Sequence, residues 1–476
     1  DKAKAIVPMI LKTSQAIIYK PFYNIFIENS SFLDVRQYEI VDAFSLIVKM
    51  VEGIEKIGVV IMAFKTILTN DTLALAEKIE QQVRPYHKKA DDMAFYNQQK
   101  VLTAFKDNQV SDYHLHPSSG YGYDDEGRDN LERVYAQVFG AEAAIVRPQI
   151  ISGTHAITIS LFGVLRPGDE LVYITGKPYD TLQSIVDGGE KDTGSLKDFG
   201  IKYSHVDLID NKEIDWDGVK AVVNENTKMI AIQRSKGYAT RPSFTIEQIA
   251  HMTKRIREIA PQAIIFVDNC YGEFVEAYEP TEVGADLMAG SLIKNPGGGL
   301  AKIGGYIAGR ADLVEKCAYR MTSPGIGAEA GATLNTLADF YQGFFMAPHT
   351  VAQSLKGAIF TSAMLEEVGM ITSPHYTEAR TDLIQSVSFQ TADQMVAFCR
   401  EIQAASPINA HFAPEPAYMP GYEDDVIMAA GTFVQGSSIE LTADGPIRPP
   451  FTAFIQGGLT YEHVKYAICS AVQKLK

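Results

Sequence analysis

Two side chains in this chain of 476 residues carry chemistry that few reactions need together. Lys294 lies in Ser291-Leu292-Ile293-Lys294-Asn295-Pro296-Gly297-Gly298-Gly299-Leu300, just ahead of a glycine run, and Asp268 ends the apolar run Ala263-Ile264-Ile265-Phe266-Val267 26 positions upstream. An amine can hold an aldehyde as a Schiff base, and a carboxylate can keep a pyridine nitrogen protonated so that the ring draws electrons. Those are the two demands that pyridoxal 5'-phosphate makes of a protein. Taken singly, the lysine reads more readily as a solvated turn residue and the aspartate as a cap on the turn Asn269-Cys270-Tyr271-Gly272. Paired, they point to the cofactor.

A phosphate calls for backbone N–H groups and hydroxyls at a helix N-terminus, where the dipole also favours an anion. Ile151-Ser152-Gly153-Thr154-His155-Ala156 opens a helical stretch after the strand-like run at Ala143 and offers Ser152, Gly153 and Thr154; an ordinary N-cap would look the same. Ser291 is a second phosphate donor candidate. Tyr179, just beyond the run Glu170–Ile174, can lie over a pyridine ring, with His155 as the competing aromatic. An amino-acid substrate brings a carboxylate, which a guanidinium matches in bidentate fashion. Arg448, in the stiff loop Pro446-Ile447-Arg448-Pro449-Pro450, is the candidate, with Arg234 and Arg241 as weaker ones and a surface salt bridge as the alternative reading. His114-Leu115-His116 could present two imidazoles on one face of a strand, yet no further ligand cluster accompanies them, so no metal is expected. Neither a Walker loop nor a GxGxxG after a strand occurs.

The elements that must position these groups follow from pattern. A helix is expected from Asn70 to about Lys106, with Asn70 or Asp71 as its N-cap. From about Leu131 to Met370, apolar runs (Ala143–Val146, Glu170–Ile174, Lys228–Ile232, Ala263–Val267, Ile303–Ala308) alternate with amphipathic helical stretches, which predicts an α/β fold with a mostly parallel sheet covered on both faces. From Ile371 onward, shorter strands (Leu383–Phe389, Val426–Phe433, Ser438–Thr442) and helices at about Thr391–Gln403 and Thr460–Leu475 predict a smaller α+β domain. The expected division is an unassigned extension at 1–61, a helical arm at 62–130, a large cofactor domain at 131–370 and a small domain at 371–476. For the first 60 residues two readings stay open, an extension packed on the large domain or a segment foreign to the enzyme, with Met62 as a second start.

A net charge of −15 disfavours polyanions and leaves no basic stripe for nucleic acid. Apolar stretches such as Ile57 to Phe64 fall short of the roughly 20 residues that cross a bilayer, and no signal-peptide layout opens the chain, so no membrane contact and a cytoplasmic location are expected. The four cysteines, Cys270, Cys317, Cys399 and Cys469, lack zinc or CxxC spacing and are expected as buried free thiols.

The stretches HLHPSSGYGYDDEGRDNLE, VDNCYGEF, GSLIKNPGGGLAKIGGYIAG and GPIRPPFTAFIQGGLTYEH together resemble the Cys/Met-metabolism branch of fold-type I pyridoxal phosphate enzymes. Within it they are most similar to the aluminium-resistance or methionine γ-lyase-like proteins, from about Ala63 to Lys476. The resemblance implies an aminotransferase-like fold, Lys294 as the Schiff-base lysine and Asp268 on the pyridine nitrogen. It also implies Ser152, Gly153, Thr154 and Ser291 around the phosphate, Tyr179 on the ring, Arg448 on the substrate carboxylate, and an obligate dimer usually paired into tetramers. One feature departs: where better-known members offer the neighbouring subunit's phosphate a Tyr-x-Arg element, this chain reads Gly120-Tyr121-Gly122-Tyr123-Asp124-Asp125, leaving Tyr121 or Tyr123 to keep part of that role. The expected activity is carbon–sulfur cleavage of a sulfur amino acid; aminotransfer or carbon–carbon cleavage on the same scaffold, and a silent cofactor-binding stress-response protein, are the alternatives.

Overall fold

The computed structural model describes residues 68–188, 193–419 and 422–475. The expectations for residues 1–61 and for a second start at Met62 lie outside the described residues.

Seven strands form the large sheet: β1 (Ala143–Arg147), β2 (Glu170–Tyr173), β3 (Lys202–His205), β6 (Thr227–Gln233), β7 (Ile264–Asp268), β8 (Leu287–Ser291) and β9 (Gly305–Gly309). A small hairpin, β4 (Leu208–Ile209) and β5 (Glu213–Ile214), lies between β3 and β6 in the chain. The order across the large sheet is β1-β9-β8-β7-β6-β2-β3. Only β9 runs against its neighbours, pairing antiparallel with β1 and β8, while the other pairs are parallel. Successive side chains in a strand face opposite ways, and the central strands use both faces. Ile230, Ile232, Ile265 and Val267 join one core, and Met229, Ala231, Ile264 and Phe266 the other. That double burial is why β6 and β7 read as unbroken apolar runs rather than alternating ones.

Ten helices carry the rest: α1 (Asn70–Asp107), α2 (Glu126–Val138), α3 (Gly153–Val164), α4 (Asp180–Val186), α5 (Trp216–Val222), α6 (Ile246–Ile259), α7 (Ala311–Met321), α8 (Leu337–Glu367), α9 (Ala392–Ala404) and α10 (Tyr461–Leu475), counted among the described residues. Helices α3 and α7 cover one face of the large sheet, through Ile157, Leu161 and Leu313, and α2, α6 and α8 the other, through Val134, Ile249 and Phe344. The cap of α1 is Thr69, whose side chain accepts from Thr72 N, one residue before the expected Asn70 or Asp71. Threonine in extended backbone is placed to satisfy that first-turn donor.

The second sheet, order β10-β11-β14-β13-β12, is antiparallel throughout and consists of β10 (Ile371–Ser373), β11 (Gln385–Ser388), β12 (Val426–Ala429), β13 (Thr442–Pro446) and β14 (Thr452–Gln456). Its Val387, Ala443, Ala453 and Ile455 pack with α9 and α10 in a separate core, which also takes in Ala76, Ile79 and Val83 of α1 and Phe360 and Met364 of α8. The strand expected at Ser438–Thr442 begins only at Thr442. The carboxylate of Glu440 instead accepts from the N–H groups of Phe433 and Val434, closing a loop there. Strand β8 gave no signal of its own because Leu287-Met288-Ala289-Gly290-Ser291 holds no β-branched or aromatic residue. The packing requires this at Gly290, where a Cβ would fall 2.5 Å from both Glu273 Oε1 and the Tyr306 ring. All four cysteines are free and buried, as expected, and no helix among the described residues is long and apolar enough to cross a membrane.

Candidate active site

Strands β7 and β8 run parallel and end side by side, which brings Asp268 and Ser291 to one edge of the sheet, the edge where ligands of open α/β sheets collect. The chain then turns sharply through Lys294 into Asn295-Pro296-Gly297. The glycines after the lysine seat this turn against α8: a Cβ on Gly297 would lie 1.7 Å from Leu292 O, and one on Gly298, at φ +57°, 2.2 Å from Gly343 O. Asn295 Nδ2 donates to Tyr271 O at 3.0 Å and Glu273 O at 2.9 Å, tying the lysine turn to the turn that follows Asp268. Tyr271 itself sits at φ +72°, a conformation costly for a non-glycine residue, and its ring lies under Lys294, with Nζ 3.9 Å from the centroid.

Asp268 is 5% exposed, and one carboxylate oxygen accepts from Cys270 N at 3.1 Å. The turn-capping role and the chemical one therefore coexist in one side chain. Burial pushes the Asp268 carboxyl above its ordinary range, with Lys294, the Cys270 hydrogen bonds and Arg241 pulling it back. For Lys294, burial works against the charged form, but the acidic groups around it, Cys270, Tyr271, Asp268 and Tyr179, outweigh it and hold the amine above the usual lysine range. The pair is thus a buried acid and a base that stabilise each other's charge.

Helix α3 begins at this same edge. Ser152 caps it by accepting from His155 N at 3.1 Å and keeps its own hydroxyl proton to donate. The N–H groups of Gly153 and Thr154, in the first turn, have no acceptor within the helix. Gly153 presses against the ends of β7 and β8; a Cβ there would meet Cys270 Sγ at 3.1 Å and Ser291 Cβ at 3.3 Å, so glycine is what lets the helix end approach Asp268 and Ser291. Ser291 Oγ accepts from Ile293 N at 3.3 Å. Tyr179 closes the group: its hydroxyl is 2.9 Å from Thr154 Oγ1, and its N–H donates to Gln233 Oε1 at 2.9 Å. Burial, reinforced by Asp268, raises its phenol above the ordinary range. His155 turns back on its own loop, Nδ1 accepting from Ile151 N at 3.2 Å.

Six expected residues, Ser152, Gly153, Thr154, Tyr179, Asp268 and Ser291, thus converge with Lys294. Arg448 stands apart. Its side chain is 45% exposed and bonds Asp424 at 3.0 Å, the alternative surface-pair reading, although its charge also reaches Asp180 next to Tyr179. Arg234 is fully buried and committed to Asn269, Glu276 and Thr381, bracing the turn after Asp268. Arg241 donates to the carbonyls of Pro242, Gln233 and Ser235. Neither guanidinium is free for a substrate. His114 and His116 lie on and just after a 3₁₀ turn rather than a strand, with both Nδ1 atoms engaged locally.

Tyr121 joins none of these groups within its own chain. It is 73% exposed and stacks on Tyr123, rings 5.4 Å apart, on a segment held rigidly from behind. Arg128 donates to Gly122 O at 2.6 Å, and Gly331 N donates to Tyr121 O at 2.8 Å. Three residues near the lysine gave no signal in the sequence. Tyr271 stands in the VDNCYGEF stretch but nothing there singles out its ring, Gln233 is a lone amide at the end of β6, and Asp444 comes from the distant strand β13.

The mostly parallel sheet, the site at its carboxyl edge and the second antiparallel sheet make this an aminotransferase-like fold of the pyridoxal phosphate enzymes. A pyridoxal-5'-phosphate-dependent Escherichia coli protein, YhfS, shares it at 18% identity with a TM-score of 0.54 over 82% of this chain and 97% of that one. More narrowly, residues 72–476 match the methionine gamma-lyase family model, and the chain belongs to that family. YnbB of Bacillus subtilis is 64% identical over 402 residues, 84% of this chain and 95% of that protein. A Listeria monocytogenes structure, of a candidate cystathionine beta-lyase involved in aluminum resistance, is 63% identical with a TM-score of 0.84, covering 85% of this chain and all (100%) of the other.

Proposed function

We propose that this chain is a pyridoxal phosphate-dependent carbon–sulfur lyase acting on a sulfur amino acid. The observation that carries the reading is the Lys294–Asp268 pair, an amine and a buried carboxylate held together at the sheet edge beside a helix N-terminus. The donor set suits the cofactor: the Gly153 and Thr154 N–H groups and the Ser152, Thr154 and Ser291 hydroxyls suit a phosphate, and Asp268, raised by burial and without a salt bridge among the described residues, suits a pyridinium. When bound, the cofactor supplies an electron sink for the charge left at Cα. Lys294 would hold the cofactor's aldehyde and, once released by the substrate amine, take the Cα proton. Tyr179 would lie against the ring, positioned by Gln233 and Thr154. In net terms, substrate and water yield a thiol (hydrogen sulfide from cysteine or homocysteine), a 2-oxo acid and ammonia. The family and the relatives' names support this chemistry over aminotransfer.

The test is to follow thiol, 2-oxo acid and ammonia together for cystathionine, cysteine, homocysteine and methionine. The three should appear in equal amounts, pyruvate reporting β-elimination and 2-oxobutyrate γ-elimination. Amino-group transfer without thiol release would replace the lyase reading with an aminotransferase one, and no product at full cofactor loading would replace it with a silent binder.

Arg448 is assigned to the substrate carboxylate, leaving Asp424 on binding. A lysine keeps the charge and loses the fork, so kcat/KM should fall in both Arg448→Lys and Arg448→Ala, by roughly tenfold or more in Ala, with cofactor absorbance unchanged. Equal activity in all three proteins would remove Arg448 from the site.

Tyr121 and Tyr123 are assigned to a second copy, reaching the neighbouring cofactor phosphate. The protein should be a homodimer or tetramer by light scattering, and Tyr121→Phe with Tyr123→Phe should weaken cofactor affinity several-fold. A monomer with full cofactor occupancy would contradict the shared site, and unchanged affinity would remove the tyrosines from it.

A further inference from the structure

Alternation along the small sheet separates its two faces. Ala443, Ala453 and Ile455 enter the core with α9 and α10, so Thr442, Asp444, Phe454 and Gln456 lie on the other face. That face meets the large domain at the site: the Phe454 ring is 5.1 Å from that of Tyr238, which is in turn 5.6 Å from that of Tyr422. Asp444 is 5% exposed. Its Oδ2 accepts from Gln456 Nε2 at 3.1 Å and the Tyr238 hydroxyl lies beside the carboxylate, yet Oδ1 accepts no hydrogen bond, and no salt bridge among the described residues includes it. The hydroxyl of Thr442, buried on this side, is likewise without a hydrogen bond among the described residues, and that of Ser438, also buried, lies beside the Tyr271 hydroxyl. Lys294, Tyr271 and Tyr422 are near enough for their charges to act on Asp444 or to feel it. Burial pushes the Asp444 carboxyl up to about 6, with Tyr238, Gln456 and Lys294 pulling it back.

A buried carboxylate with a free oxygen is costly unless a charged donor meets it, and no described cation forms a salt bridge with Asp444, the Lys294 charge acting on it only from a distance. We propose that Asp444, with Tyr238 and the Thr442 and Ser438 hydroxyls, forms a subsite for a second cationic nitrogen of the substrate, so that diamino acid thioethers are preferred over substrates with one amine. This rests on the lyase reading for the reaction but not for the recognition, which a sulfur-free ligand can report.

The probes are 2,7-diaminosuberate, which replaces the thioether sulfur of a cystathionine-like molecule with carbon, and 2-aminosuberate, which lacks the second amine. Neither can release a thiol. Binding to the cofactor-loaded protein is read by calorimetry and by the cofactor absorbance. Wild type should bind the diamino compound at least tenfold more tightly, and Asp444→Asn, which keeps shape and loses charge, should abolish that preference while changing 2-aminosuberate affinity less than threefold. Equal wild-type affinities would overturn the proposal even if the variant failed to fold, as would equal weakening of both ligands in a folded Asp444→Asn. Failure of the lyase reading would show separately, as absence of thiol release from every sulfur amino acid with the diaminosuberate preference intact.

Discussion

Lys294→Ala is expected to lose at least about 10³-fold in thiol release, because it removes the side chain proposed as both the covalent anchor and the general base. The side chain is also the strongest positive influence on Asp268, so its removal leaves that buried carboxylate further raised. The fold should survive, since the turn around Lys294 is held by Asn295 and by the glycines packed on α8 rather than by the amine. Cofactor should still be retained through the α3 N-terminus, with an absorbance band shifted from that of the wild type. Lys302→Ala is the control. That lysine is 75% exposed and paired with Asp339 at 2.7 Å, and its loss should leave turnover unchanged. Rates within tenfold of wild type in Lys294→Ala would contradict the assignment.

Asp268→Asn follows in size. Asparagine can keep the oxygen that accepts from Cys270 N, and a neutral group in a buried position relieves desolvation, so stability should change little. What disappears is the negative charge proposed to face the ring nitrogen. Turnover should fall by roughly 10²–10³-fold, the usual effect of deleting one preorganised electrostatic partner, with the thermal transition within a few degrees of wild type. Exchange of the substrate Cα proton with solvent is the sharper readout, because it isolates the one event that the protonated ring assists. Exchange at the wild-type rate would show that the carboxylate acts only as the turn cap.

The parts of this fold that were legible from the chain are those where a local pattern has one physical cause. Double burial made β6 and β7 unbroken apolar runs, and the Asp268 at the end of one and the Lys294 ahead of a glycine run needed no long-range information to be paired. The role of those glycines was less visible. They permit close approach to α8, which only the packing reveals. Strand β8 stayed hidden because Gly290 gives way to Glu273 and Tyr306, erasing the β-branched signature. Arg234 and Arg241 illustrate the opposite error: a guanidinium near a site motif resembles a substrate ligand until its donors are traced to Asn269, Glu276 and backbone carbonyls. Asp444 lies 150 residues after Lys294 and shares no motif with it; only the pairing of β13 with β14 turns its side chain toward the site.

Which lysine holds the cofactor decides the account most directly, and the chain offers a real rival. Lys236 is 3% exposed, and burial lowers its amine to about 8, which makes it the more easily deprotonated nucleophile, whereas Lys294 is held protonated by its surroundings. Yet Lys236 Nζ is spent on Ser373 O at 3.1 Å and Ser386 Oγ at 3.2 Å, joining the loop after β6 to the small sheet, and none of the residues clustered around Asp268 touches it. The measurement is borohydride reduction of the cofactor-loaded protein followed by digestion and mass spectrometry of the pyridoxyl-labelled peptide. The label should fall on Lys294 alone; a label on Lys236, Lys302 or any other lysine would contradict the assignment.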